Sequence, residues 1–302
     1  MSDERIYKLI KLIVTLMGML PRKTLKFFSD LLGLLWYKLD KRHRNVALEN
    51  INFAYPGKFS PAQAQRFVKK NFKNTASILF EVIWAYQKPR DELFKYFKVK
   101  GLKYLKKAQK KGRGVIILTC HMGNFELLVA AFPKAGMEKP YGIYRKFDFK
   151  PLERLMLEMR QRFGATLIPT GGASQKIDLI LKEGGIVGTL FDQNAGWYNG
   201  VVVNFFGRPA CAKYSLVKLV LRSKASVVPM FMIKENEKYI MEILPEVPLQ
   251  TTGCPIKDIE NNTQNYVSAI ESMVRLCPEQ YFWAHNRWKT KPYSIIKGKV
   301  SG

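Results

Sequence analysis

A short apolar run bounded by glycines is the feature that most constrains the fold of this sequence. Val115-Ile-Ile-Leu-Thr119 carries no charge and is largely β-branched, and Gly112 and Gly114 come just before it. A run of this length and composition is typical of a strand that is buried on both faces of a sheet. The chain is therefore predicted to be built around a central sheet that is covered on both sides.

Strand and helix patterns alternate from about residue 95 onward. Alternation of this kind predicts an α/β fold in which helices pack on the faces of one sheet. The polar segment Lys234-Glu-Asn-Glu-Lys238 reads as a turn between adjacent strands, so the predicted sheet is mixed. Strands are predicted near 114–120, 139–145, 165–169, 186–192, 226–234 and 238–244. Helices are predicted near 101–111, 124–134, 149–163, 173–183, 212–223 and 259–276.

Residues 1 to about 95 are predicted to be mostly helical. Ser60-Pro61-Ala62-Gln63 has the residues of a helix start, namely a serine cap, proline at the first position and glutamine at the third. The helix is expected to run to about Tyr86, ahead of Pro89.

Two short apolar runs, Leu12 to Pro21 and Leu31 to Tyr37, lie nearer the N-terminus between lysines. They predict an amphipathic helical hairpin that lies in the face of an anionic membrane. The chain is therefore predicted to consist of a membrane-associating segment, 1–39, and an α/β domain, 40–302. A core-packing helix pair and a single tilted span are the alternatives.

The charge of the chain narrows the class of partner. The formal net charge is +26, which predicts contact with anionic lipid, nucleic acid or an acidic carrier protein. No helix-turn-helix, zinc-finger or RNP-type motif accompanies the charge, which disfavours nucleic acid. The four cysteines have no paired spacing, so neither a disulfide framework nor a metal site is expected, and free thiols fit a reducing compartment.

The predicted strand near 114–120 leads directly to the strongest candidate for chemistry. His121 follows it, and residues at the carboxyl end of such strands face the crevice where open α/β sheets bind ligands. Glu126 is close enough in sequence to orient the imidazole, so the pair suits removal of a proton from a hydroxyl. A backbone N–H of a helix starting near Gly123 is expected to stabilise an oxyanion. Cys120 is expected to point to the opposite face, so a Cys–His nucleophile is rejected.

An ordered series of motifs resembles the lipid A biosynthesis (late lauroyl/myristoyl) acyltransferases, relatives of the glycerolipid acyltransferases. The histidine and glutamate of His121-Met-Gly-Asn-Phe-Glu126 match the first block of the family. One departure is Lys146-Phe-Asp148, where relatives more often have a proline and an asparagine. The remaining matching segments, in family order, are Asn50–Pro56, Tyr144–Arg145, Arg160–Gly164, Gly188–Gln193, Phe205–Pro209, Val228–Pro229 and Tyr281–Lys289.

The resemblance implies a glycerolipid-acyltransferase-like fold and a fatty acyl transfer from an acyl carrier protein or CoA thioester to a hydroxyl of a lipid A precursor. It also implies that the protein acts at the cytoplasmic face of the inner membrane and uses no metal or bound cofactor. His121 and Glu126 would be catalytic, and Arg145 would bind a phosphate or a sugar carboxylate of the acceptor through two hydrogen bonds. The other expected substrate contacts are Asp192, which could instead pair with Arg145 or cap a turn, together with Gln193, Phe205, Phe206, Lys213 and Arg287.

Two alternatives stay open. The same chemistry could act on a glycerophospholipid or a glycosylated inositol lipid. A different class is a non-catalytic protein that binds anionic membranes or nucleic acid through its charge.

Overall fold

The structure of the 302-residue chain is a computed structural model that describes residues 2–137 and 139–290. Lys291, Lys297 and Lys299, which contribute to the basic C-terminus, lie outside the described residues. The helices are α1 (Asp3–Gly18), α2 (Arg22–Leu39), α3 (Lys41–Ala54), α4 (Pro61–Tyr86), α5 (Arg90–Phe94), α6 (Leu102–Gln109), α7 (Leu128–Ala131), α8 (Lys150–Arg162), α9 (Ala173–Lys182), α10 (Ser215–Ser223) and α11 (Pro255–Leu276).

A seven-stranded mixed sheet forms the centre of the fold, as the alternating pattern predicted. Its strand order is β1-β9-β8-β2-β5-β3-β4, and β8 and β9 are its antiparallel pair among the described residues. A separate antiparallel hairpin, β6-β7, lies outside this sheet. The strands are β1 (Phe97–Lys100), β2 (Val115–Thr119), β3 (Tyr141–Tyr144), β4 (Thr166–Pro169), β5 (Ile186–Leu190), β6 (Gly200–Phe205), β7 (Arg208–Lys213), β8 (Ser226–Glu235) and β9 (Lys238–Ile243).

Strand β2 is the apolar run that follows Gly112 and Gly114, and all of its residues are buried. Successive side chains of a strand point to opposite faces. Ile116 and Leu118 accordingly belong to the core on one side of the sheet, whereas Val115 and Ile117 belong to the core on the other side. The apolar character of the four residues from Val115 to Leu118 follows from this burial on both faces.

The N-terminal region is helical, and α4 begins with the predicted capping box between Ser60 and Gln63. Helix α2 packs closely on α4, because Gly33 lies so near that a Cβ would fall 2.5 Å from the Cα of Lys73. Helices α1 and α2 also expose large apolar side chains to solvent, among them Leu12, Leu16 and Phe28. Within residues 2–137 and 139–290, none of the helices combines the length and apolarity that crossing a membrane requires.

Three parts of the fold differ from the sequence predictions. The helix predicted near 124–134 is reduced to the single turn α7 and a following 3₁₀ turn, Phe132–Ala135. No strand was predicted between 192 and 212, yet this segment contains strand β6, and β7 occupies the start of the helix predicted near 212–223. A two-residue turn joins these strands with positive φ at both Phe206 and Gly207. That geometry matches the twist of a hairpin, but a phenylalanine in a left-handed conformation gives no turn signal in a sequence.

Candidate active site

His121 and Asp192 meet at the carboxyl edge of the sheet because their strands are paired in register. Strands β2 and β5 are parallel neighbours, with Thr119 opposite Leu190. His121 and Asp192 each lie two residues beyond that last pair, so they emerge side by side. The imidazole Nδ1 of His121 lies 2.8 Å from Oδ1 of Asp192, and the backbone N–H of His121 donates to Oδ2 at 3.1 Å. One carboxylate therefore holds both the ring and the backbone of the histidine.

The electrostatics of this pair fix the protonation of the ring. The Asp192 side chain is 2% exposed, and although burial opposes ionisation, the charge and hydrogen bonds of His121 lower the pKa of this carboxyl below its usual value. Burial lowers the pKa of His121, but the carboxylate of Asp192 outweighs it and the pKa is raised overall. A carboxylate can only accept, so Nδ1 carries the proton and Nε2 is the basic nitrogen.

Glu126 does not contact the imidazole, contrary to the sequence prediction. Its carboxylate forms a two-point ion pair with Arg160 of α8, at 2.9 Å from Nε and 2.6 Å from a terminal nitrogen. The geometric reason is that the chain after His121 forms turns rather than an immediate helix, which directs Glu126 toward α8. Glu126 still acts on His121 at longer range, since its charge contributes to the raised pKa of the histidine.

The turn after His121 is set by Gly123. Its φ is +54°, and a Cβ on this residue would lie 1.7 Å from the carbonyl oxygen of Met232, so the backbone requires glycine here. The N–H of Gly123 donates to the carbonyl of Gln280, and that of Met122 donates to Cys120. The predicted helix start near Gly123 is therefore wrong, and these two N–H groups are already occupied by the protein itself.

A C-terminal strap, residues 280–290, holds the two halves of the site together. Phe282 donates its backbone N–H to the carbonyl of His121 at 2.8 Å. Further along, Nε2 of His285 accepts the backbone N–H of Asn194 at 3.0 Å, and Asn194 exchanges two hydrogen bonds with Thr290. Because Asn194 is two residues from Asp192, the strap fixes both the histidine turn and the aspartate loop. No functional role was predicted for His285 from the sequence.

Three of the predicted substrate contacts lie on the surface. Arg145 follows β3, whose carboxyl end faces the same edge of the sheet as His121, and its side chain is exposed. Gln193 is exposed beside the buried Asp192, and Lys213 is exposed at the end of β7. Arg145 has no hydrogen bond or ion pair with any residue that the structure describes, so its guanidinium is available to a ligand.

The other three predicted contacts, Phe205, Phe206 and Arg287, lie in the core. Phe205 and Phe206 are 1% and 5% exposed. Both rings pack against tryptophans of the strap, Phe205 on Trp288 and Phe206 on Trp283. Arg287 is 2% exposed and donates to the carbonyl of Cys211, with its guanidinium near the ring of Phe205. These three side chains therefore form the surface on which the strap packs, and their predicted contacts with substrate stay a prediction.

Cys120 points away from the site into the core that contains Ile116 and Leu118. It is fully buried, and burial raises the pKa of its thiol well above the usual value. A protonated, inaccessible thiol is a poor nucleophile. Among the residues described by the structure, no group of His, Cys, Asp and Glu side chains could hold a metal ion.

The comparison with known proteins decides what this site belongs to. The chain matches the family described as bacterial lipid A biosynthesis acyltransferase over residues 4–290. The chain belongs to this family. It is similar to the lipid A biosynthesis palmitoleoyltransferase of Escherichia coli (strain K12), at 27% identity over 90% of this chain and 87% of the relative. It is also similar to the lauroyltransferase of the same organism, at 25% identity over 87% and 85% of the two chains.

A lipid A biosynthesis acyltransferase of Haemophilus influenzae is a third relative, at 26% identity over 83% of this chain and 77% of its own. Each match extends over most of both chains. As a member of this family the protein is an acyltransferase, and its paired His121 and Asp192 lie at the edge of the sheet where α/β folds bind ligands.

Proposed function

We propose that this lipid A acyltransferase moves a fatty acyl chain from a thioester on an acyl carrier protein or CoA to a hydroxyl of a lipid A precursor. The observation that carries the proposal is His121, whose Nδ1 is held by the buried Asp192 while Nε2 remains basic. A hydroxyl is a weak nucleophile at neutral pH, and a positioned imidazole is the usual base that activates it. The family match supplies the class of acceptor.

The reaction consists of one addition and one elimination. The acceptor hydroxyl attacks the thioester carbonyl while Nε2 of His121 takes the hydroxyl proton. Asp192 stabilises the imidazolium that forms and keeps the ring in its orientation. The tetrahedral intermediate then collapses, the carbon–sulfur bond breaks, and the imidazolium returns the proton to the departing thiolate. Glu126 contributes through its negative charge near His121, and its ion pair with Arg160 fixes the position of that charge.

Activity of the purified full-length protein tests this proposal. His121→Ala should lower kcat by at least about 10²–10⁴-fold, because the general base is lost. His43→Ala is the matched control, since His43 also pairs through Nδ1 with an aspartate, Asp40, but on helix α3. The product is identified by mass spectrometry of the lipid, with acyl carrier protein and CoA thioesters compared as donors. Transfer that survives His121→Ala would refute the mechanism, and a product on another lipid would refute the acceptor.

Arg145 is proposed to bind a phosphate of the acceptor. The proposal is supported by its free, exposed guanidinium at the edge of the sheet that carries His121. Arg145→Lys keeps the charge but loses the planar two-point fork, so KM for the phosphorylated acceptor should rise while KM for the donor stays unchanged. Arg113→Lys is the control, because Arg113 is exposed at the opposite end of β2. Equal changes for donor and acceptor would contradict the assignment.

The surface of α1 and α2 is proposed to attach the enzyme to an anionic membrane. Each helix exposes an apolar stripe at helical spacing, with Leu9, Leu12, Ile13 and Leu16 on α1 and Phe28, Leu31, Leu32 and Leu35 on α2. Exposed lysines flank the stripes, including Lys8, Lys23 and Lys38. Apolar side chains combined with lysines favour a bilayer that contains anionic lipid.

Vesicle binding separates this role from that of a core-packing hairpin. Leu12→Asp and Phe28→Asp should weaken sedimentation with anionic vesicles, whereas Leu179→Asp, at an equally exposed leucine of α9, should not. Point substitutions are preferable to removing residues 1–39, because α2 packs on α4 and its loss would uncover the core. Unchanged binding by both variants would place the membrane contact elsewhere.

A further inference from the structure

A second histidine lies beside the catalytic pair, on the C-terminal strap. His285 is partly buried, and its ring is close enough to Asp192, Arg287 and His121 for their charges to act on it. Burial, together with the positive charges of Arg287 and His121, lowers the pKa of His285 against the opposing charge of Asp192. The pKa of His121 is therefore raised and the pKa of His285 is lowered, so His285 is neutral at pH 7.

The tautomer of His285 follows from its hydrogen bond. Nε2 lies 3.0 Å from the backbone nitrogen of Asn194, and a backbone N–H can only donate. Nε2 must therefore be the acceptor, and in a neutral ring the proton is on Nδ1. Within the described part of the chain Nδ1 has no hydrogen-bond partner, and it is not among the buried unpaired polar atoms. His285 therefore presents a fixed, uncharged and accessible N–H donor.

The site needs such a donor. The thioester carbonyl becomes an oxyanion when the hydroxyl attacks, and donors aimed at that oxygen contribute strongly to catalysis. The backbone N–H groups of Met122 and Gly123, which immediately follow the base, are occupied by Cys120 and Gln280. A cationic donor in this place would lower the basicity of His121, whereas a neutral imidazole would not.

The geometry points to His285 as a hydrogen-bond donor, through Nδ1–H, to the carbonyl oxygen of the acyl thioester as that oxygen gains charge. This role rests on the proposed function, because it requires a thioester at His121. The support from Asn194 makes the donor preorganised, since the same bond that fixes the tautomer ties the ring to the loop that carries Asp192. Thr290 clamps Asn194 in turn.

Two amide substitutions separate a donor from a structural support. In His285→Asn the side-chain NH₂ lies near the place of Nδ1, so the donor is kept and the acceptor for Asn194 is lost. In His285→Gln the carbonyl oxygen reaches the place of Nε2, so the acceptor is kept and the donor is lost. If His285 donates to the oxyanion, His285→Gln should lower kcat by about 10²–10³-fold with little change in KM. His285→Asn should retain more activity than His285→Gln.

The reverse ranking, equal losses in the two variants, or unchanged kcat in His285→Gln would each overturn the inference. Failure of the proposed function has a different signature, namely wild-type protein without His121-dependent transfer.

A measurement on the unmodified enzyme avoids dependence on how the variants fold. The chain has three histidines, His43, His121 and His285, so ¹⁵N-histidine labelling gives an assignable spectrum. The probe is a trifluoromethyl ketone with a long alkyl chain and a thioether link to pantetheine. Water adds across its activated carbonyl, and loss of one proton from the hydrate to His121 leaves a tetrahedral oxyanion. The Nδ1 proton of His285 should be visible and should shift downfield when the probe binds. A His285 ring protonated on Nε2, or an Nδ1 proton that does not respond to the bound probe, would overturn the assignment.

Discussion

Replacing Asp192 by asparagine removes one negative charge from the centre of the site. The carboxylate accepts two hydrogen bonds from His121, one from the ring at 2.8 Å and one from the backbone at 3.1 Å. An amide has a single oxygen, so either the backbone or the ring must face its NH₂ group. If the ring faces it, Nδ1 becomes the acceptor, the proton moves to Nε2, and the base is lost.

The size of the effect follows from these two bonds. A hydrogen bond to a charged group contributes about 1.5–3 kcal/mol, so losing the charge from both should lower the free energy of unfolding by up to about 3–6 kcal/mol. A ring in the wrong tautomer no longer acts as the general base, and kcat of Asp192→Asn should therefore fall by about 10²–10⁴-fold. Glu126 has no hydrogen bond with the ring of His121, so Glu126→Gln should reduce kcat less than Asp192→Asn. It should also destabilise the fold by about 1.5–3 kcal/mol, because Arg160 loses its charged partner.

Steady-state acyl transfer and thermal unfolding of the two variants, measured side by side, check this reasoning. The expected pattern is a large loss of kcat for Asp192→Asn and a smaller loss of kcat for Glu126→Gln, with a lower Tm in both variants because each loses charged hydrogen bonds. If Glu126→Gln loses more kcat than Asp192→Asn while its unfolding is unchanged, Asp192 is not the group that orients the base.

Three further predictions concern the same site. The rate should fall as the pH is lowered, with an apparent pKa above 6.5, because protonated His121 cannot accept a proton. Asp192→Asn should shift this acidic side of the pH–rate profile to lower pH. A profile that the substitution leaves unchanged would contradict the assignment. Gly123→Ala should lower kcat about 10²-fold, because the added Cβ displaces the turn from Met232. Gly112→Ala is the control and should not lower kcat, because Gly112 has a similar φ but open space around it. Equal effects of the two substitutions would refute the steric argument. Cys120→Ser should keep most of the activity, since the thiol is buried away from the reaction, and a trapped acyl-cysteine in the wild type would disprove direct transfer.

Most of the helices and strands could be predicted from the sequence alone, with the hairpin β6-β7 and the shortened helix α7 as exceptions. Apolar runs and caps are local signals, so the strand Val115–Thr119, the capped helix from Pro61 to Tyr86 and the alternation beyond them could be predicted. His121 could be placed at a strand end for the same reason.

The partner of His121 was decided by the tertiary structure. Asp192 is distant in sequence from His121 and reaches it because β2 and β5 are neighbours in register, whereas the nearby Glu126 is directed to Arg160 by a turn that depends on Gly123. Which strands are neighbours is set by long-range packing, and no local pattern reports it. The contacts of the strap also depend on the tertiary structure, because they form only when the chain folds back across the sheet edge. Its tryptophans then pack on Phe205 and Phe206, and His285 accepts a hydrogen bond from Asn194.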